Sequence, residues 1–315
     1  MARDPGREGQ SGVRLNLPVR HDTIGSGDML RRLKIIFYYF RADAAARRGK
    51  FDRAVERLSK VLELDPDNPV AYHDRGVAQQ GMGNYRGSIA DFDKAIAIAP
   101  APYLPAAYSS RGISWKLLGD FDRAIADQLA AIALSPRLAI AHAELGAVRL
   151  FRQDYDGSVR SLTTAIDLAP RDTSHLMLRG VALFCRGDFK TAIPDLQRAF
   201  DIGNDTYALL FLHLARARTD ENASAALETD ASRVRIWHWP SAVVGLYLER
   251  LSTDTMLAAA RTPDEAGEAQ FYLGQWHLVH GDRSEAKKAL QAATEACPPW
   301  FSEHAAAMAE LQRLG

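Results

Sequence analysis

Apolar and small positions return along this chain at a fixed interval. Aromatic residues stand at Phe51, Tyr85, Phe121, Tyr155 and Phe189, and small residues follow three later at Ala54, Ser88, Ala124, Ser158 and Ala192. Glycines at Gly76, Gly112, Gly146 and Gly180 are spaced 36, 34 and 34, and prolines at Pro66, Pro100, Pro136 and Pro170 are spaced 34, 36 and 34. Both series slip by two residues at Ala101–Leu104, an insert in one inter-unit loop. A further small position recurs at Ala95, Ala131, Ala165 and Ala199. Self-similarity at such a period is the mark of a stacked repeat, which has to be recognised before any element is assigned.

One unit predicts a pair of helices. Tyr72–Gly81 carries Gly76 at mid-helix, where glycine costs about 1 kcal/mol relative to alanine, a cost that a close approach of another backbone would justify. Gly83-Asn84, Gly119-Asp120 and Gly187-Asp188 each supply a helix-stopping glycine and then a capping side chain. The second helix, Tyr85–Ile98, places Ile89, Phe92 and Ile96 on one stripe, with Ser88 and Ala95 where helices pack closely. Pro100 ends it, since proline lacks the N–H and disfavours helix in the residue before it. Each hairpin leaves an apolar face that only a neighbour can cover, so the units stack.

The signature Gly76, Tyr85, Ser88, Phe92, Ala95, Pro100, repeated as Gly112, Phe121, Ala124, Ala131, Pro136, resembles the tetratricopeptide repeat (TPR) family. The expected fold is all-α, a TPR superhelical solenoid of antiparallel helix pairs with a C-terminal capping helix. Five units begin near Ile35, Pro69, Pro105, Ala139 and Thr173; the first has Ala42 at the glycine position, and the fifth has Asn204 in place of the terminal proline. The division expected is a disordered tail over 1–28, rich in Gly, Arg and Asp, then five repeats over 29–204 and a helical spacer over 205–262. A sixth TPR-like repeat with a capping helix occupies 263–315, carried by Phe271–Gly274, Gly281-Asp282, Ala286, Leu290, Ala293 and Pro298.

The order of these pieces resembles the NlpI type of bacterial TPR lipoprotein, on Leu210–Ala215, Trp237–Leu248, Phe271–Gly274, Phe301, Glu303, His304, Glu310 and Leu311. That resemblance implies an envelope adaptor docking cell-wall hydrolases and a processing protease, often as a homodimer. This sequence departs from it in having no signal sequence and no cysteine in the first hundred residues for acylation. Met29, a candidate alternative start, opens a basic stretch whose apolar run, Ile35–Phe40, is six residues long, short of the ~7–15 of a signal core and of a membrane span. It reads as the first repeat helix. The cytoplasm is the expected compartment, with the periplasm or envelope as the alternative that the resemblance favours.

Composition narrows the function. Thirty-nine basic and 39 acidic residues give a net charge of zero, without the basic excess that draws nucleic acid. Cys185 and Cys297 are far apart and outside any CxxC spacing, so neither zinc nor a disulfide is expected. No phosphate loop, nucleophile elbow or HExxH occurs, and the roughly 60 residues between repeats five and six are too few for a catalytic domain. The expectation is a protein that is not an enzyme and uses no cofactor or metal. His277 and His280, at i and i+3, lack a third ligand, and His304 beside Glu303 is read the same way. Trp237 and Trp239 are read as packing rather than as a partner's anchor.

What remains is a binding groove. In the TPR family the first helices of successive hairpins line a concave face, which the resemblance places here on Tyr39, His73, Val77, Ser109, Ile113, Lys116, Ile140, Ala147, Leu150, Phe151, Met177, Val181 and Phe184. The co-chaperone subfamily's carboxylate clamp is absent, because its positions hold Tyr39, Asp43, Asp74, Ala106 and Ser110. A groove that turns apolar toward repeats three to five suits an amphipathic helix or extended apolar peptide of a partner protein. The alternatives are that the chain's own tail, its spacer helix or a second copy fills it, making a homodimeric scaffold, or that the chain is the non-catalytic subunit of an enzyme.

Overall fold

The computed structural model describes residues 26–219, 222–234 and 239–315, and among them it holds seventeen α-helices and no strand. The expected tail lies outside the described residues up to position 25, as does Trp237. Helix begins at Ser26, three residues earlier than expected, its first turn tied by Arg32 donating to Asp28 at 3.0 Å. The chain divides into two compact units, Met1–Leu134 and Ser135–Gly315.

The first unit is three hairpins: α1 (Ser26–Ala46) with α2 (Phe51–Leu64), α3 (Pro69–Gly81) with α4 (Tyr85–Ile98), and α5 (Leu104–Leu117) with α6 (Phe121–Leu134). The two-residue insert falls in a 3-10 turn, Ala101–Tyr103, after which α5 starts with Pro105 in its first turn, where a missing N–H costs nothing. Asn68 and Asn84 cap α3 and α4, accepting from the N–H groups of Ala71 and Gly87.

The second unit opens with α7 (Ala139–Phe151) and α8 (Tyr155–Leu168), then α9 (Thr173–Arg186) and α10 (Phe189–Gly203). Its spacer holds α11 (Thr206–Ala217), α12 (Ala223–Ala231), α13 (Ser241–Tyr247) and α14 (Thr253–Ala258). A hairpin of α15 (Pro263–Val279) and α16 (Arg283–Ala296) follows, and then α17 (Ser302–Leu314). Gly187, at φ +94, stops α9 as expected, but Asp188 makes no cap bond; its carboxylate is drawn back to Arg186 at 2.6 Å.

One relation recurs through both units. A Cβ built on Gly76 would stand 2.7 Å from the Phe92 ring, on Gly146 2.5 Å from Leu162, on Gly180 2.6 Å from Leu196 and on Gly274 2.7 Å from Leu290. In every case the residue met lies sixteen positions on, in the paired helix. The bare backbone of the first helix is where the fully buried side chain of the second is received, which is what offsets the helix-propensity cost. The first hairpin solves the same problem with Ala42 and Leu58, both 3% exposed. The pair Gly274 and Leu290 gives the 263–298 segment the same local packing as the regular repeats.

Arginines stitch the hairpins together. Arg75 donates Nε and Nη2 to Asp91 at 2.8 and 2.7 Å, and Nη1 to Ser59 of the preceding hairpin at 3.1 Å. Arg111 grips Asp127 at 2.9 and 2.7 Å and reaches Asp93 at 2.6 Å. Arg179 grips Asp195 at 2.7 and 2.8 Å and reaches Thr163 at 3.0 Å. These forks are bidentate and largely buried on the carboxylate side, the geometry in which an ion pair fixes register.

Candidate functional site

In the first unit, α1, α3 and α5 present one face joined by polar contacts. The Tyr39 hydroxyl donates to Asn68 Oδ1 at 3.0 Å. Burial, with the negative charges of Asp74 and Asp65 adding to it, pushes that hydroxyl's pKa well above its ordinary range, so Tyr39 stays a donor. His73 Nε2 lies 3.0 Å from Ser110 Oγ and its Nδ1 3.3 Å from Asp74, while its ring leans on Phe92 at 5.4 Å. Gln80 donates to the Ser110 carbonyl at 2.8 Å and to Ser114 Oγ at 2.7 Å. Val77, Ile113 and Lys116 are partly exposed beside these groups. Ser109 departs from expectation: it is buried, and its carbonyl accepts from Gln128, so the neighbouring Ser110 is the serine that serves this face.

The same positions of the second unit are not open. Leu150, Val181 and Phe184 are fully buried and Ala147 is 3% exposed. They were expected to line an apolar groove, and they belong instead to the core. Phe151 and Met177 pack partly buried against that core, and only Ile140 stands exposed, at 49%.

The chain's own last helix packs on the helices that carry these residues, beside α10 and α11, whose Phe189 and Phe211 meet the Phe184 ring. α17 packs on α15 and α16, as a capping helix would, and also against α7 and α9. Ala305, Ala306, Ala307 and Ala309 are buried, small enough to let the helix come close. Arg313 Nη1 donates to the Cys185 carbonyl at 2.8 Å and its guanidinium sits 5.4 Å from the Phe189 ring centre. Gln312 bonds Gln153 on the other flank. Glu310, buried, accepts from Arg218, just past the end of α11, at 2.8 Å and from Arg313. An apolar face exposed to water is costly, and here the chain satisfies it internally.

The remaining candidates are structural in position. Trp239 packs against the core, and its indole N–H donates to Glu268 at 2.7 Å, an oxygen shared with the Tyr207 hydroxyl. His280 stacks on Trp276 at 3.9 Å, and His277 meets the same ring edge-on at 5.2 Å. Burial lowers the pKa of His304. Cys185 and Cys297 are free and buried, and desolvation pushes the Cys185 thiol up, away from reactivity. Among the described residues no three His, Cys, Asp or Glu side chains gather as a metal would need.

Comparison with known proteins agrees with this architecture. Residues 42–83 match a TPR repeat model, and residues 69–102 and 143–205 match tetratricopeptide repeat models. The structure is similar to that of pilF from Pseudomonas aeruginosa, at 18% identity over 70% of this chain and 92% of that one, with a TM-score of 0.55. It is also similar to the C-terminal part of a TPR repeat-containing protein from Cytophaga hutchinsonii, at 16% identity over 82% and 95% of the two chains, with a TM-score of 0.51. With its repeat signature, its glycine-centred hairpins and these matches, the chain is a tetratricopeptide-repeat protein.

Proposed function

We propose that this chain is a non-catalytic protein-interaction scaffold whose partner-binding face is that of α1, α3 and α5, on Tyr39, His73, Val77, Ile113 and Lys116. One observation carries the reading. The equivalent face of the second unit is largely buried, with α17 packed on its helices, whereas that of the first unit holds partly exposed side chains. The chemistry is mixed: Val77 and Ile113 offer apolar contact, and His73, Ser110 and Gln80 offer hydrogen bonds beside it. That combination suits a peptide or helix with alternating apolar and polar side chains better than a wholly apolar one. The finer reading, docking of cell-envelope hydrolases or proteases, rests only on the family resemblance, which is strongest after Asp205.

The test compares affinity capture by the native chain and by a Val77→Glu, Ile113→Glu variant first shown to keep its helicity. A partner held by the native chain should weaken at least about tenfold with the variant, since an apolar contact is replaced by a desolvated charge. A partner list unchanged by the variant would remove this face from the function.

A further inference from the structure

The side of α1 turned away from its hairpin partner is apolar and open. Met29, Leu30, Leu33, Ile36, Phe37 and Phe40 are between 48% and 70% exposed. Their spacing places all six on one arc of the helix. On the opposite arc Ile35, Tyr38 and Tyr39 pack against Val61, Leu62 and Ala71, and Ala42 is buried. α1 is therefore apolar on two faces, of which its own unit covers one.

In the repeat frame one residue of that stripe takes a position that is elsewhere buried. Phe37 stands five residues before Ala42, and the same position of the other hairpins holds Ala71, Ala107, Ala141, His175 and Ala269, all buried. Ala71 shows why the position is small: it is packed against Val61 and Leu62 of the preceding helix. A ring can be buried at this position, as His175 is, but Phe37 stands 54% exposed, so it is left for a partner outside the described residues to cover.

Charge indicates which one. Residues 26–50 carry seven basic side chains against two acidic, a surplus of five in a chain whose net charge is zero. Lys34 and Arg41 follow one edge of the apolar arc and Arg32 the other, with the Arg41 guanidinium 5.7 Å from the Phe37 ring centre. Two copies meeting through this stripe would bring two such surpluses together, whereas an anionic lipid surface neutralises them. No helix among the described residues is long and apolar enough to cross a membrane. We propose that α1 is an interfacial docking helix that lays its apolar stripe into the headgroup region of an anionic bilayer, its basic rim on the lipid phosphates.

The experiment is co-sedimentation of the full chain with vesicles of phosphatidylcholine alone and of phosphatidylcholine mixed with phosphatidylglycerol, with light scattering of the lipid-free chain alongside. Binding should favour the anionic vesicles and weaken with salt. A Lys34→Gln, Arg41→Gln variant should lose about fivefold in partitioning per charge removed. A Phe37→Glu, Phe40→Glu variant should lose about tenfold or more; all four side chains lie at the surface of α1, and helicity is confirmed by circular dichroism. Equal or absent binding to the two vesicle types overturns the proposal, and so does binding that survives Phe37→Glu, Phe40→Glu. A lipid-free dimer that this variant turns into a monomer would assign the stripe to a second copy and overturn it equally.

Discussion

His213 sits in an apolar helix, α11, between Leu212 and Leu214, and is 5% exposed. Its ring lies 4.9 Å from that of Tyr247, and Nδ1 is 3.4 Å from the Ala223 carbonyl. Burial lowers its pKa to about 4, the Ala223 carbonyl opposing this and the positive Arg216 adding to it. The folded state thus holds His213 neutral, while the unfolded chain protonates it below its ordinary value of about 6.5. This contribution to stability is fully present above pH 6.5 and is lost as pH falls toward 4, by about 3 kcal/mol at most. Urea unfolding followed between those pH values should show the midpoint falling in the native chain. A His213→Phe variant should fall less over the same range, and an identical slope in both would mean that other groups carry the acid sensitivity.

At the scale of elements, the repeat frame was readable because helix pairing is local: each glycine meets a side chain sixteen residues on. The Arg–Asp forks were equally readable and were missed. Arg75-Gly76, Arg111-Gly112 and Arg179-Gly180 recur in frame, as do Asp91, Asp127 and Asp195 sixteen residues after each arginine. A signature built on apolar and small positions passes over them. Their contribution can be measured at Arg111, whose partner Asp127 is 5% exposed. Arg111→Met strands a buried carboxylate and should cost about 3 kcal/mol in urea unfolding. Replacing both partners, Arg111→Met with Asp127→Leu, should recover most of that loss, because no unpaired charge is left. If the double variant is as unstable as the single one, the fork's role is shape rather than charge.

At the scale of the whole molecule, the exposure expected of the candidate residues is found in the first unit and not in the second. Tyr39, His73, Val77, Ile113 and Lys116 keep the exposure that their register implies, because their surroundings are set by neighbouring hairpins. Leu150, Val181 and Phe184 have the same register, but their helices also pack against α17, far along the chain; Arg313 and Cys185, which bond across that contact, are 128 positions apart. No local pattern announces such a pairing, although the alanine run of α17 is suited to it once the face is known. The consequence is testable by ending the chain at Pro299. Exposed Leu150, Val181 and Phe184 should then bind a hydrophobic dye, and the second unit should melt several kcal/mol less stable, as the loss of that much apolar burial requires. A peptide of residues 300–315 added in trans should reverse both effects, since the face would be offered the same alanine stripe and the same Glu310 and Arg313. Dye binding and melting unchanged by the truncation would mean that α17 only rests on a core closed by other elements. The second unit's face would then be excluded from binding by its own packing rather than by a removable helix.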